Sequence, residues 1–411
     1  MHGDQEGCRH LFGGARRHFT LAACGSSPSS TQGASSHATK HASTTTTTLA
    51  PLGAGREASR QAIPWKQVGP GWVLALWDSS PAATQSEEPP TTVPGESATL
   101  YLVDPQGGRY LVKTFPSADT PTLSDWSGDG RRALLVDPEA SGASPGTEVS
   151  EIDLASGTVH TISLPTSVSV SYTNPSGLAL LATAQITPEL QRLSPDGTVE
   201  LSYPTQLGAL GAFNGASRES PDGTEIAMGT NNGGGIALVD NAGKLLSNLL
   251  IPGTTYCSPV RWWALAEVLV SCLEGTNGFT GLWLVPASGA APTALTVQPP
   301  AGSQDVGDED AWPVGGGTYL QDAGACGYVY LAVLDPDHTT SPVAVPGVAE
   351  GNSQIVLGAA GNRLLVQSAV ACGPGVSLLW FNPQSQAASV VLGPGANGWN
   401  VISARLFGDE N

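Results

Sequence analysis

Three features of the sequence predict one fold class. A short strand closed by a turn residue recurs seven times at a near-constant period. A second turn marker runs in phase with it. Glycine (51) and proline (32) are abundant, while charged residues make up only 13% of the 411 positions. Together they predict an all-β chain of seven four-stranded sheets set as blades around an axis, a seven-bladed β-propeller, preceded by a disordered N-terminal leader and tether. Helical bundles and coiled coils lean on Ala, Glu, Lys, Leu and Arg and are disfavoured by this balance.

The charge balance narrows the partners. Lys and Arg total 17 against 35 Asp and Glu, a net charge of −18. So acidic a chain repels phosphate backbones, which argues against nucleic acid. No window approaches 18 consecutive apolar residues, so no transmembrane helix is expected.

The N-terminal segment differs from the rest. Residues 25–55 are dominated by Ser, Thr, Ala, Gly and Pro, with five consecutive threonines at Thr44 to Thr48. Such a stretch buries too little apolar surface to offset its ordering entropy, and residues 24–60 are read as a disordered tether. Residues 1–23 are read as a leader. Leu21-Ala22-Ala23-Cys24-Gly25-Ser26 resembles the lipobox of bacterial lipoproteins, and Arg16-Arg17-His18-Phe19 resembles the start of a twin-arginine export signal. The resemblance implies export and lipidation at Cys24. The apolar core between charges and cleavage site, usually 7–15 residues, is here confined to Phe19–Ala23 and interrupted by Thr20. A plain disordered N-terminus is the alternative.

From residue 61 to 411 the pattern becomes short apolar runs closed by turns. The turn positions are Asp104, Asp153, Ser194, Asp240, Pro286, Asp335 and Asn382, spaced by 49, 41, 46, 46, 49 and 47 residues. In phase with them run Trp126-Ser127-Gly128-Asp129-Gly130, Asn174-Pro175-Ser176-Gly177 and Ser220-Pro221-Asp222-Gly223, each followed by an apolar run. Asp or Ser opening a turn and Gly accepting positive φ is hairpin chemistry. Each unit therefore reads as four strands. The first ends at the Gly turn, the second is the apolar run, the third ends at the Asp-Pro type turn and the fourth follows it. Residues 399–407 are left over and strand-like, and are expected to return to the first blade, because an open ring leaves exposed sheet edges. Ile63 to Gln67 could take the same place.

The Trp-Ser-Gly-Asp-Gly and Ser-Pro-Asp-Gly turns followed by an apolar strand resemble the repeats of TolB-like propellers, within the wider WD40-like class. The likeness is sharp in two or three blades and absent from blades five to seven. It implies a monomeric binding module for a protein or cell-envelope partner, exported and held at the membrane only by its lipid anchor, or extracellular.

Six cysteines are present. Cys257 and Cys272 are equidistant from a hairpin centre between Ala264 and Leu265, so their sulfurs are expected to face each other at a separation a disulfide can bridge. Cys326 and Cys372 lie one repeat apart, in Ala325-Cys326-Gly327 and Ala371-Cys372-Gly373, between the second and third strands of neighbouring blades. A second bridge there would contribute ~4 kcal/mol, against ~3 kcal/mol for the hairpin pair; two independent buried thiols are the alternative. Paired cysteines imply an oxidising compartment.

Catalytic material is sparse. Of seven histidines only His160 and His338 fall in the domain, both beside outer turns. There is no Gly-x-Ser-x-Gly elbow and no Walker-type phosphate loop. The acidic cluster Asp305, Asp308, Glu309 and Asp310 is the candidate binding site, either a solvated loop, a Ca²⁺ site or a contact for a basic partner. No other cofactor is expected. The long second-to-third-strand connections at residues 79–96 and 138–147 mark one face as the recognition face. A non-catalytic binding module is thus the expected function. An enzyme on the same scaffold, a hydrolase, lyase or sugar oxidoreductase, would instead show His, Arg and carboxylates converging on the axis.

Overall fold

A computed structural model describes residues 55–78, 97–116, 120–136, 146–164, 168–184, 186–275, 279–298, 307–324, 328–370, 375–393 and 400–408. Among them the strands group into seven four-stranded antiparallel meanders. The first is made from both ends of the chain: Asn400–Leu406 innermost, then Val73–Asp78, Ser97–Val103 and Arg109–Pro116. The second runs Thr122–Trp126, Arg132–Val136, Thr147–Asp153, Val159–Leu164. The third runs Val168–Tyr172, Leu180–Ala184, Glu189–Leu193, Val199–Ser202. The fourth runs Phe213–Glu219, Glu225–Thr230, Gly235–Asp240, Leu245–Leu250. The fifth runs Thr254–Ala264, Glu267–Glu274, Phe279–Pro286, Thr293–Ala294. The sixth runs Gly307–Val314, Gly317–Ala323, Val329–Leu334, Thr340–Pro342. The seventh runs Asn352–Ala360, Arg363–Val370, Gly375–Asn382, Ala387–Leu392.

The apolar runs of the sequence are the second strands, and packing explains why they do not alternate with polar residues. Each is buried on both faces, between two neighbours. Ala133 and Leu135 pack towards the first meander, while Leu134 packs towards the third. Ile226 and Met228 face the third, and Ala227 faces the fifth. The core is accordingly seven clusters, each wedged between consecutive meanders. One of them packs Leu365, Leu378 and Trp380 of the seventh against Val73, Tyr101 and Val401 of the first. That last contact joins the two ends of the array.

The repeated turn residue caps its own turn. Asp104 Oδ1 accepts from the backbone N–H of Gln106 and Gly108, Asp240 Oδ1 from Ala242 and Lys244, and Asn382 Oδ1 from Gln384 and Ser385. An acceptor side chain two residues ahead of an unpaired N–H is what the Asx turn requires. The glycines of the second marker serve a close approach as well as a turn. A Cβ at Gly128 would lie 2.2 Å from Pro175 O, and one at Gly223, whose φ is +72°, would lie 2.3 Å from Asn174 O. Neighbouring meanders therefore touch turn to turn, backbone against backbone.

The C-terminal strand takes the innermost place of the first meander, antiparallel to Val73–Asp78. Ile63 to Gln67, the competing candidate, form a turn instead. Glu57–Ser59, assigned from sequence to the tether, form a fifth, parallel strand beside Arg109–Pro116. Arg109 Nε donates to Glu57 Oε2 at 3.0 Å, and Arg60 Nη1 to Val112 O at 3.0 Å. Two short hydrogen-bonded contacts in a polar stretch carry no hydrophobic period, which is why the composition hid them. Among the described residues no helix is long and apolar enough to cross a membrane.

Candidate functional site

The innermost strands are linked to their neighbours by side chains, most of them reaching forward to the next meander and one, Glu219, back to the third. Ser124 Oγ donates to Val170 O at 2.6 Å, and Glu219 Oε2 accepts from the Asn174 N–H at 2.5 Å. Arg405 Nε donates to Ser124 O at 3.0 Å and Arg218 Nε to Val260 O at 2.6 Å. Arg261 grips Asp310 with two bonds, Nε to Oδ1 at 2.7 Å and Nη2 to Oδ2 at 2.5 Å. Its guanidinium also lies 4.6 Å from the Trp312 ring centroid, a cation–π contact. Gln321 and Gln367 extend the pattern to the seventh and back to the first meander, through Gln354 O and Val401 O.

These contacts surround a cavity of about 400 Å³ to which the inner strand of every meander contributes. Arg405, Ser124, Ser169, Arg218, Arg261, Asp310 and Leu357 are its borders from the first to the seventh. It therefore lies on the axis. Arg218, Arg261 and Arg405 each stand one residue before a buried residue near the end of an inner strand, Glu219, Trp262 and Leu406. Ser171, Ser217 and Thr183 also line it.

Glu219 is the unusual group. It is only 6% exposed, and its Oε1 has no hydrogen-bond partner. Burial pushes its carboxyl up to about 7, the Asn174 N–H and Arg192 pull the other way, and Asp222 adds a smaller upward push. A carboxyl near neutrality beside a channel can take up or release a proton at physiological pH. Tyr172, also at the cavity, donates its hydroxyl to Glu151 Oε2 at 3.1 Å, and burial followed by Glu151 drives its phenol far upward.

The structure separates the members of the acidic cluster read from sequence, because the strand register is irregular between Asp308 and Asp310. Asp305 lies outside the described residues. Asp308 is buried opposite Asp322, Glu309 is exposed, and Asp310 alone borders the channel, committed to Arg261. Among the described residues no three potential metal ligands come together. His160 begins an outer strand, and His338 sits in an outer turn with Nδ1 3.0 Å from Leu295 O. Neither borders the channel.

Cys257 and Cys272 form a disulfide. The hairpin turns at Leu265–Ala266, one residue later than the sequence centre. Two irregularities, between Pro259 and Arg261 and between Trp262 and Ala264, take up the difference, and the register Ser258↔Ser271 sets the cysteines opposite each other. Cys24, Cys326 and Cys372 lie outside the described residues, as do residues 79–96 and most of 138–147.

The channel arginines were missed because no motif marks them. They lie 43 and 144 residues apart in sequence. The available signal was positional: a lone basic residue before the inner-strand turn, in a domain holding only eleven Lys and Arg over residues 61–411.

The β-propeller domain of the trilobed protease from Pyrococcus furiosus superposes with a TM-score of 0.50 at 12% identity, over 79% of this chain and 97% of that one. The chain is a β-propeller. A prolyl endopeptidase superposes at 0.52 and 13% identity, over 81% of this chain and 51% of that one, so the propeller spans about half of that enzyme. TolB from Acinetobacter baumannii aligns over 84% of this chain and 69% of that one, at 0.41 and 13% identity. Likeness at these identities concerns the fold alone. No protein-family model matches the chain, and no curated protein matches it.

Proposed function

We propose that the seven meanders are the blades of one closed ring, and that the protein is a non-catalytic binding propeller whose ligand site is the axial channel. The observation that carries this reading is the channel itself: a polar cavity bordered by all seven blades, in which three arginines are each anchored to the next blade. Side chains fixed in this way form a pre-organised recognition surface, and preorganisation lowers the cost of binding. The Cys257–Cys272 disulfide supports an oxidising compartment. Export, a lipid anchor at Cys24, a monomeric state and an envelope partner met through the loop-rich face belong to the same reading, on the lipobox-like and TolB-like motifs.

One observation favours a second reading. Arginines and carboxylates do converge on the axis, and Glu219, pushed up to about 7, has the acidity of a general acid–base group. Against it, Asp310 is held by Arg261, and no histidine among the described residues borders the channel.

A thermal-shift screen of the full chain against small polar metabolites, followed by mass spectrometry of each hit, separates the two. Binding predicts a raised melting temperature with the hit recovered unchanged. Time-dependent consumption of the hit, abolished by Glu219→Gln, establishes the enzyme.

A further inference from the structure

We infer that the contact between the third and fourth meanders is a pH-sensitive joint, closed when Glu219 is protonated and parted when it is ionised, so that the wall of the axial cavity opens there as pH rises. The joint stands whether the cavity binds or catalyses.

Position is the first observation. The inner strands of the second, third and fourth meanders end on Trp126, Tyr172 and Glu219. All three are buried. A carboxylate therefore stands where the two preceding meanders place an aromatic ring, at a depth where its charge carries a desolvation cost that a ring does not.

The way Glu219 is held is the second. Its Oε2 accepts from the Asn174 N–H of the third meander at 2.5 Å, while Oε1 is buried and has no hydrogen-bond partner. Asp125, the buried acid at the contact of the second and third meanders, is satisfied at both oxygens, Oδ1 by the Trp126 N–H and Oδ2 by the Tyr172 N–H. Among the described residues Glu219 belongs to no ion pair. Arg192 of the third meander faces it but is engaged elsewhere: Nη1 donates to Asn241 O and Oδ1, and Nε lies 3.3 Å from Glu200 Oε2. Tyr203 faces it from the same meander, and Arg218 and Asp222 flank it on its own. Tyr172, Arg261, Asp310 and Arg405 border the same cavity, with Arg261 bound to Asp310 and Arg405 to Ser124 O.

Ionised, Glu219 carries a buried charge with one oxygen that no donor reaches. Protonated, it loses the charge and keeps the Asn174 bond. Burial accordingly pushes its carboxyl up to about 7. Water relieves the ionised form only if the two meanders part, and the adjoining cavity, bordered by both Glu219 and Asn174, supplies it. The contact to be parted is polar. Asn174 Nδ2 donates to Glu219 O at 3.4 Å and to Ser220 O at 3.3 Å, and Gly223 meets the Asn174 backbone. Such bonds exchange for water at small net cost. This end of the seam therefore yields before the apolar cluster of Leu181, Leu190, Phe213 and Ile226 in the same seam. Parting returns the carboxyl towards its ordinary 4.5, so the open form gains as pH rises.

Hydrogen exchange of the full chain, read by mass spectrometry from pH 5 to pH 9 and corrected for the intrinsic pH dependence of exchange, tests this. Peptides covering 173–184 and 219–230 should open about tenfold more at pH 8 than at pH 6, and the rise should level off above about pH 7. Dilute urea should leave their exchange unchanged, because a local opening exposes little surface. Glu219→Gln should abolish the rise. Arg192→Gln should move the levelling-off to higher pH, since that guanidinium favours the ionised form. Asp222→Asn, at an exposed position, should move it to lower pH, and it keeps the test decisive if loss of the Arg192 bonds unfolds the protein. A flat wild-type profile, a rise that persists in Glu219→Gln, or exchange that urea accelerates in step with the rest of the molecule each overturns the inference.

Discussion

Neutralising Asp310 should weaken the seam between the fifth and sixth blades. The side chains of Arg261 and Asp310 are 13% and 20% exposed, and they meet through two charge-assisted bonds of 2.5 and 2.7 Å. Two unit charges at 4 Å attract by about 4 kcal/mol at an effective dielectric of 20. The desolvation already borne by both groups offsets part of that. Asparagine at 310 keeps one acceptor for Arg261 Nε or the Ala311 N–H, which Asp310 Oδ1 also holds at 2.7 Å. The expected net cost of Asp310→Asn is therefore about 2 kcal/mol, within the range for a charged hydrogen bond. Arg261→Gln should cost a similar amount. The double variant should fall short of their sum by about 1.5 kcal/mol, because each single change strands the other partner. Urea denaturation followed by tryptophan fluorescence reads this directly, and Trp312 lies under the Arg261 guanidinium as a local reporter. Single variants within 0.5 kcal/mol of wild type, with additive effects in the double, would refute the claim that this pair ties the two blades.

Three further outcomes follow from the same geometry. Burial raises the folded pKa of Glu219 to about 7, from 4.5, so its contribution to stability is fully present below about pH 4.5 and is lost as pH rises through 7. The stability of Glu219→Gln relative to wild type should thus increase between pH 5 and pH 8, by an amount on the order of 3 kcal/mol at most, measured by urea titration at each pH; a pH-independent difference contradicts the burial argument. Cys257 and Cys272 are both fully buried and close a 15-residue separation; their replacement by alanine should lower stability by about 3 kcal/mol and abolish the effect of reductant on the urea midpoint, and a reductant effect that persists assigns it to other cysteines. Gly223→Ala places a Cβ 2.3 Å from the Asn174 backbone oxygen at a φ of +72° and should cost about 2 kcal/mol or more in a thermal or urea melt, whereas a neutral result would mean the turn–turn contact yields freely.

The fold was legible because its repeat is written in turn chemistry. Asp104, Asp240 and Asn382 bond their own turn N–H groups, a local requirement that recurs with each blade. The doubly buried second strands left continuous apolar runs, and the closing strand at Asn400–Leu406 stood out as one strand in excess. The Cys257–Cys272 pairing came from register, and it survives a displaced turn because two irregularities in the same strand restore that register. The channel was not legible. Arg218, Arg261 and Arg405 converge only when inner strands from three blades surround one axis, and no local pattern encodes that. The acidic run at 308–310 is split because a register irregularity between Asp308 and Asp310 breaks the alternation that would set those two on one face. Asp308 is buried, Glu309 is exposed, and only Asp310 reaches the channel. Strand Glu57–Ser59 escaped because it is held by hydrogen bonds rather than by apolar burial.

A crystal structure of the protein with a hit from the thermal-shift screen tests the central claim most directly. The account predicts the ligand on the axis, in contact with inner-strand residues of several blades. A ligand seated on the outer loops, with the channel filled only by water, would contradict it.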